Sequence, residues 1–160
     1  MITSIDTNVL LDILGNDPVH AQKSAELLEE QNNKGQLIIC PVVYSELLVF
    51  FLRKYDAQFA TKKLDEFLSD IDIQLINFSK KDFESAAQSW NTFSKIKEVT
   101  CPACGTTNIF YCKSCKKKVV WRNHLITDFL IGAHAQNQAS IMLTRDRGYY
   151  KNYFKIELLG

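Results

Sequence analysis

Ile2-Thr3-Ser4-Ile5 is a short, partly β-branched run that stops at Asp6-Thr7-Asn8, the pattern of a buried strand ending in a turn. Leu37-Ile38-Ile39-Cys40, Ile71–Ile76 and Ile141-Met142-Leu143-Thr144 read as further strands, and Ile156–Leu159 as a last one. Between them the apolar positions recur at helical spacing. Asp17-Pro18 offers an N-cap and a first-turn proline to a helix through Ala21, Ala25, Leu27 and Leu28, closed by Asn33-Lys34-Gly35. Pro41 opens a second helix through Val43, Leu47, Phe50 and Phe51, ending near Lys54. Asp56–Ser69 carries Phe59, Leu64, Phe67 and Leu68 on one face; two more helices run from Ser79 or Lys80 to about Ile96 and through Leu125, Phe129, Leu130 and Ala133. Strands alternating with helices predict an α/β fold, a three-layer α/β/α sandwich on a mainly parallel central sheet. Residues 98–121 break the pattern and are read as a module inserted into a single domain of residues 1–160.

Chemistry in an open parallel sheet collects at the carboxyl ends of its strands. Asp6 and Asp146 stand there, just after two strand runs. Glu46 lies in the first turns of the helix opened by Pro41, and Asp128 near the start of the apolar segment Leu125–Ala133. Carboxylates embedded among apolar neighbours are expensive without partners, and like charges brought together resist ionisation unless a cation lies between them. A hard divalent ion with oxygen ligands, Mg²⁺ or Mn²⁺, answers both demands. The four acids are therefore expected to converge within metal-bridging reach at one edge of the sheet. Asp12, Asp17, Asp56 and Asp82 lack such placement and read as caps or exposed charges. His134, on an apolar helix, reads as a hydrogen-bonded core or interface residue.

The same residues carry a resemblance to a known family. Ser4–Asp12, Val43-Tyr44-Ser45-Glu46-Leu47, Thr127–Ala135 and Thr144-Arg145-Asp146-Arg147-Gly148-Tyr149-Tyr150 resemble, in order, the four motifs of PIN-domain nucleases, and most closely toxins of the VapC type. The resemblance implies a metal-dependent endoribonuclease in which Asp6, Glu46, Asp128 and Asp146 hold one or two Mg²⁺ or Mn²⁺ ions, with no protein nucleophile. Asn8 and Thr144 are candidates to hydrogen-bond the acids or the attacking water, and Arg145 and Arg147 to contact phosphate. It further implies RNA as substrate, an antitoxin protein as partner in a type II toxin–antitoxin pair, and a homodimer as a compatible assembly. Two alternatives stay open: a housekeeping RNA-processing PIN nuclease, and a non-catalytic RNA-binding or adaptor protein. A phosphatase using Asp6 as nucleophile, in the haloacid-dehalogenase style, would need a second aspartate where Asn8 stands.

The interrupted region carries Cys101-Pro102-Ala103-Cys104 and Cys112-Lys113-Ser114-Cys115, separated by seven residues. Two facing CxxC pairs read as a structural Zn²⁺ site, a compact zinc ribbon, whose four thiolates leave no position for a catalytic water. Cys40 stands apart as a small core residue. The charge of the chain is also uneven. Lys95 to Arg122 holds seven basic side chains and one acidic, whereas the remainder holds twelve basic and seventeen acidic. Lys113, Lys116, Lys117, Lys118 and Arg122, with Tyr111 and Trp121 for stacking, are thus candidates for RNA contact. At 160 residues, 46% hydrophobic and 23% charged, with no long apolar run and no basic leader, the chain is expected to be cytoplasmic and not membrane-bound.

Overall fold

The computed structural model describes residues 1–95, 99–100, 107–108, 111–117 and 125–160, with the backbone alone at 99–100, 107–108, 147 and 149. The chain runs β1 (Ile2–Ile5), α1 (Thr7–Leu14), α2 (Ala21–Asn32), β2 (Gln36–Ile39), α3 (Pro41–Leu52), α4 (Ala57–Asp70), β3 (Ile73–Leu75) and α5 (Lys80–Ser94). It continues through β4 (Val99–Thr100), β5 (Thr107–Asn108), α6 (Thr127–Gln138), β6 (Ile141–Leu143), α7 (Arg147–Tyr153) and β7 (Glu157–Leu159). Five strands form one all-parallel sheet in the order β3-β2-β1-β6-β7. The fold is the expected α/β/α sandwich.

Both faces of this sheet are covered, so its central strands are buried at nearly every position, Thr3 and Ser4 of β1 included. Ile5, Leu37, Ile39, Met142 and Leu143 are fully buried, and Val43, Leu47, Leu64, Phe129 and Ala133 close over them from the helices. Among the described residues no helix is long and apolar enough to cross a membrane.

Two helices escape the sequence pattern. Asp6 does not lead into a turn: its side chain accepts from the Thr7 N–H and caps α1 directly. Asp146 caps α7 in the same way through the Gly148 N–H. Asp6 directly follows β1, so that strand and helix run on without a spacer, whereas Thr144 and Arg145 separate β6 from Asp146. Conversely, α2 starts at Ala21 rather than at Pro18. Asp17 accepts from the N–H groups of Val19 and His20 and holds a separate turn there.

The helix bearing Asp128 is fixed at several points. Asp82 closes a capping box with Ser79 at the start of α5 and also accepts from Asn137 (2.9 Å) and Gln138 (3.3 Å) at the end of α6. His134 Nε2 donates to the Ile76 carbonyl at 3.0 Å and its ring meets Phe78 edge-on. Within residues 98–121, β4 and β5 pair antiparallel.

Candidate active site

Strand order places a topological switch between β1 and β6: from β1 the chain moves outward to β2, and from β6 it moves the other way to β7. Ligands of open α/β sheets bind in the crevice at the carboxyl ends flanking such a point. Ile5 lies beside Leu143 in register, so the residues just beyond them, Asp6 and Thr144-Arg145-Asp146, share one edge.

Asp6 is 5% exposed and densely hydrogen-bonded. Its Oδ1 accepts from the Thr7 N–H at 2.8 Å and from the Tyr150 hydroxyl at 3.4 Å. Its Oδ2 accepts from Asn8 Nδ2 at 2.6 Å and Thr144 Oγ1 at 2.7 Å. Burial nevertheless pushes its pKa up to about 6; the bonds from Thr144 and Thr7 oppose the rise, and the carboxylates of Asp128 and Glu46 add to it. Asp128, in the first turn of α6, is raised by burial and then by Glu46 and Asp146. Glu46, on α3, accepts a short hydrogen bond from the Thr7 hydroxyl. Asp146 stands exposed at the cap of α7.

All four acids therefore lie in one electrostatic field. They are not drawn into a ready-made cage: among the described residues no three His, Cys, Asp or Glu side chains are grouped closely enough to hold an ion as they stand. Glu46 is turned toward Thr7 and Asp146 toward the Gly148 N–H, each carboxylate having found its own donor. The donor set is nonetheless all oxygen, and a cation would bring the raised pKa values of Asp6 and Asp128 back down. These residues fit Mg²⁺ or Mn²⁺ and do not resemble a soft-metal site. A groove of about 360 Å³ lined by Pro41, Val42, Ser45, Glu46, Val49 and Thr127 runs beside Glu46.

Asn8 and Thr144 link the acids. Thr144, fully buried, donates to Asp6 and accepts from the Asp146 N–H at 3.0 Å. Asn8 reaches both Asp6 and Thr144, and its Oδ1 accepts from the Arg145 N–H at 3.2 Å. Two residues here escape sequence reasoning. Tyr150, 2% exposed, points its hydroxyl at Asp6; it stands four residues after Asp146, on the same helical face, a signal visible only once α7 is recognised. Asp12 is neither a cap nor an exposed charge: it is 4% exposed and ion-paired to Arg145. It stands four residues after Asn8 along α1, a relation equally hidden when α1 is read as a turn.

Arg147 opens α7. Lys113, Lys116 and Lys117 are exposed, as is Tyr111 beside them. Lys118 and Arg122, together with Cys101 and Cys104, lie outside the described residues. Cys112-Lys113-Ser114-Cys115 forms a tight turn: the Lys116 N–H donates to the Cys112 carbonyl and the Cys112 N–H to the Lys117 carbonyl, at 2.9 and 2.8 Å. The backbone N–H groups of Cys115 and Ser114 face the Cys112 sulfur and pull its thiol pKa down. Cys40 is buried, and burial pushes its thiol up to about 11.

The family model described as PIN domain matches residues 4–155. Solved structures align over almost the whole chain at low identity. The Rickettsia felis VapBC2 structure, bound to a promoter DNA fragment, is 19% identical, with a TM-score of 0.67 over 99% of this chain and 98% of that one. VapBC-1 from nontypeable Haemophilus influenzae is 12% identical, with a TM-score of 0.67 over 99% and 97%. FitAB bound to an IR36 DNA fragment is 14% identical, with a TM-score of 0.60 over 99% and 94%. Among curated proteins no sequence match is found.

Proposed function

The chain belongs to the PIN domain family, and from that premise we propose that it is a Mg²⁺- or Mn²⁺-dependent endoribonuclease and the toxin of a toxin–antitoxin pair. One observation carries the reading: four acids from elements spread over the chain gather at the switch point of the sheet, where burial together with the Asp128 and Glu46 carboxylates raises the pKa of Asp6, and burial together with those of Glu46 and Asp146 raises that of Asp128. A structural sandwich has no need of such a cluster, and a hydrolytic metal site does. The antitoxin partner is supported by the fold neighbours, which are VapBC and FitAB complexes.

Asp6, Glu46, Asp128 and Asp146 would hold the divalent ion, which when bound supplies a Lewis acid for water activation and neutralises charge on the phosphate. The protein's own part is orientation. Thr144 and Asn8 fix Asp6 Oδ2 by donating to it, Thr7 aims Glu46, and the first turn of α7 orients Asp146. Tyr150 fills the floor beneath Asp6 and keeps water from that side. In the same reading Cys101, Cys104, Cys112 and Cys115 bind one structural Zn²⁺. Lys113, Lys116 and Lys117, with Lys118 and Arg122, give its module a basic surface for RNA phosphates; Arg147 is a further candidate for phosphate contact.

The test is cleavage of a mixed RNA pool with and without Mn²⁺. Wild type should cut only with the ion, and Asp6→Asn and Asp128→Asn should both be inert while remaining folded. Metal-independent cutting, or cutting that survives either substitution, overturns the reading. Growth arrest on expression, relieved by the product of an adjacent gene, tests the toxin assignment separately.

A further inference from the structure

Arg145 has the sequence of a phosphate-binding residue, flanking a candidate metal ligand, yet its guanidinium is turned away from the acids. Its Nε donates to Asp12 Oδ2 and its Nη2 to Asp12 Oδ1, both at 2.8 Å, a two-pronged pair with a carboxylate that is 4% exposed. Ser24 on α2 donates to the same Oδ2 at 2.7 Å, so the carboxylate is fully engaged. The Arg145 backbone N–H meanwhile donates to Asn8, which itself grips Asp6. Three positions on or beside one helix, 6, 8 and 12, therefore hold two consecutive residues, Thr144 and Arg145, directly before Asp146: Asp6 through the Thr144 hydroxyl, Asn8 through the Arg145 amide and Asp12 through the Arg145 side chain. The Asp146 N–H closes back on Thr144.

We propose that Asp12 and Arg145 are positioning residues that clamp the Thr144–Asp146 segment onto α1 and so set the affinity of the acidic site for its divalent ion, and that Arg145 does not contact RNA phosphate. The proposal rests on the nuclease reading above. A two-pronged arginine–carboxylate pair fixes orientation as well as distance, which a lysine cannot reproduce. Residues behind metal ligands act in this way, and their loss lowers metal affinity about 10–100-fold.

The two roles separate because Asp12 is buried and cannot reach RNA. Mn²⁺ binding is followed by the electron paramagnetic resonance signal of the free ion, on Asp12→Ala, Arg145→Lys and wild type, with circular dichroism as the check on folding. Both variants should bind Mn²⁺ about tenfold more weakly. At saturating Mn²⁺ both should retain the wild-type KM for RNA and its salt dependence. If Asp12→Ala fails to fold, Arg145→Lys, which keeps the charge and loses the fork, decides the matter alone. Wild-type Mn²⁺ affinity in a folded variant overturns the proposal. So does a loss of RNA affinity in Arg145→Lys at saturating Mn²⁺. A wild-type chain that binds no Mn²⁺, or an Asp6→Asn variant that binds it as well as wild type, overturns the nuclease reading instead.

Discussion

Thr144 Oγ1 lies 2.7 Å from Asp6 Oδ2, joining residues 138 apart in sequence across the two strands that flank the switch point of the sheet. The hydroxyl donates to one acid and, as acceptor, holds the backbone N–H of the next, Asp146. One buried side chain thus registers two elements of the site against each other.

Thr144→Val keeps the shape and removes these two hydrogen bonds together with the longer one from Asn8 Nδ2 at 3.3 Å. Losing a bond to a charged group and leaving a buried acceptor under-satisfied should remove about 1.5–3 kcal/mol of stability. The Asp6 pKa should climb beyond about 6, since the Thr144 bond is the largest influence holding it down. Thr144→Ser, which retains the hydroxyl, should stay near wild type. Urea denaturation and the Mn²⁺ concentration for half-maximal cleavage read the two effects; a valine variant matching wild type in both would remove Thr144 from the site.

The raised pKa of Asp6 has a defined sign in stability. Its folded pKa of about 6 exceeds the ordinary 3.8, so the folded state holds a proton that the unfolded state gives up. That contribution is fully present below about pH 4 and is lost as pH rises through about 6, by about 3 kcal/mol at most. His134, kept neutral by burial, works in the opposite direction as pH falls through its own titration range. The comparison is therefore wild type against Asp6→Asn in chelator. Lowering pH from 7.5 to 5 should stabilise wild type relative to the variant, and saturating Mn²⁺ should erase the difference at pH 7.5. A pH-independent difference would mean that Asp6 is not held in this buried, like-charged setting.

The strands, the main helices and the placement of Asp6, Asp128 and Asp146 at element ends are legible because each rests on a local pattern: apolar runs, helical spacing, an acid after a strand. What stayed hidden was the pair of helices α1 and α7, each capped by an aspartate that follows a strand within three residues. With them went Asp12 and Tyr150, whose roles depend on helical periodicity counted from Asp6 and Asp146. Pairing partners 133 and 144 residues away leave no local trace in sequence. Asp82 did read as a cap, but its bonds to Asn137 and Gln138 belong to tertiary packing.

Gly132 lies one turn after Asp128 on α6, against the ring of Phe154. A Cβ built there would stand 2.5 Å from the ring, whose own neighbours Phe129 and Tyr150 are buried. Gly132→Ala gains about 1 kcal/mol in helix propensity but must displace a packed aromatic, at about 1–3 kcal/mol. The expected result is a lower melting temperature. A higher one would mean that Phe154 swings aside freely and that α6 is not pinned at this point.

The two CxxC pairs make a prediction independent of the acids. In the described half of the module the amides of Ser114 and Cys115 already favour the Cys112 thiolate, and Lys116 at φ +58° lets the chain turn back tightly behind it. Thiolate is the form that Zn²⁺ binds, so this half is arranged for metal before any ion arrives. The purified chain should carry one Zn²⁺ with Zn–S distances of about 2.3 Å by X-ray absorption. Cys112→Ser with Cys115→Ser should lose the zinc while the sandwich, whose core lies elsewhere, keeps its main melting transition. Because Lys113, Lys116 and Lys117 sit on this turn, the same variant should bind long RNA more weakly and with a shallower salt dependence, while cleavage of a short substrate changes little. Full zinc content in the double variant would refute the ligand assignment. Equal losses on long and short RNA would show instead that the module supports the acidic site itself, through the helix that carries Asp128.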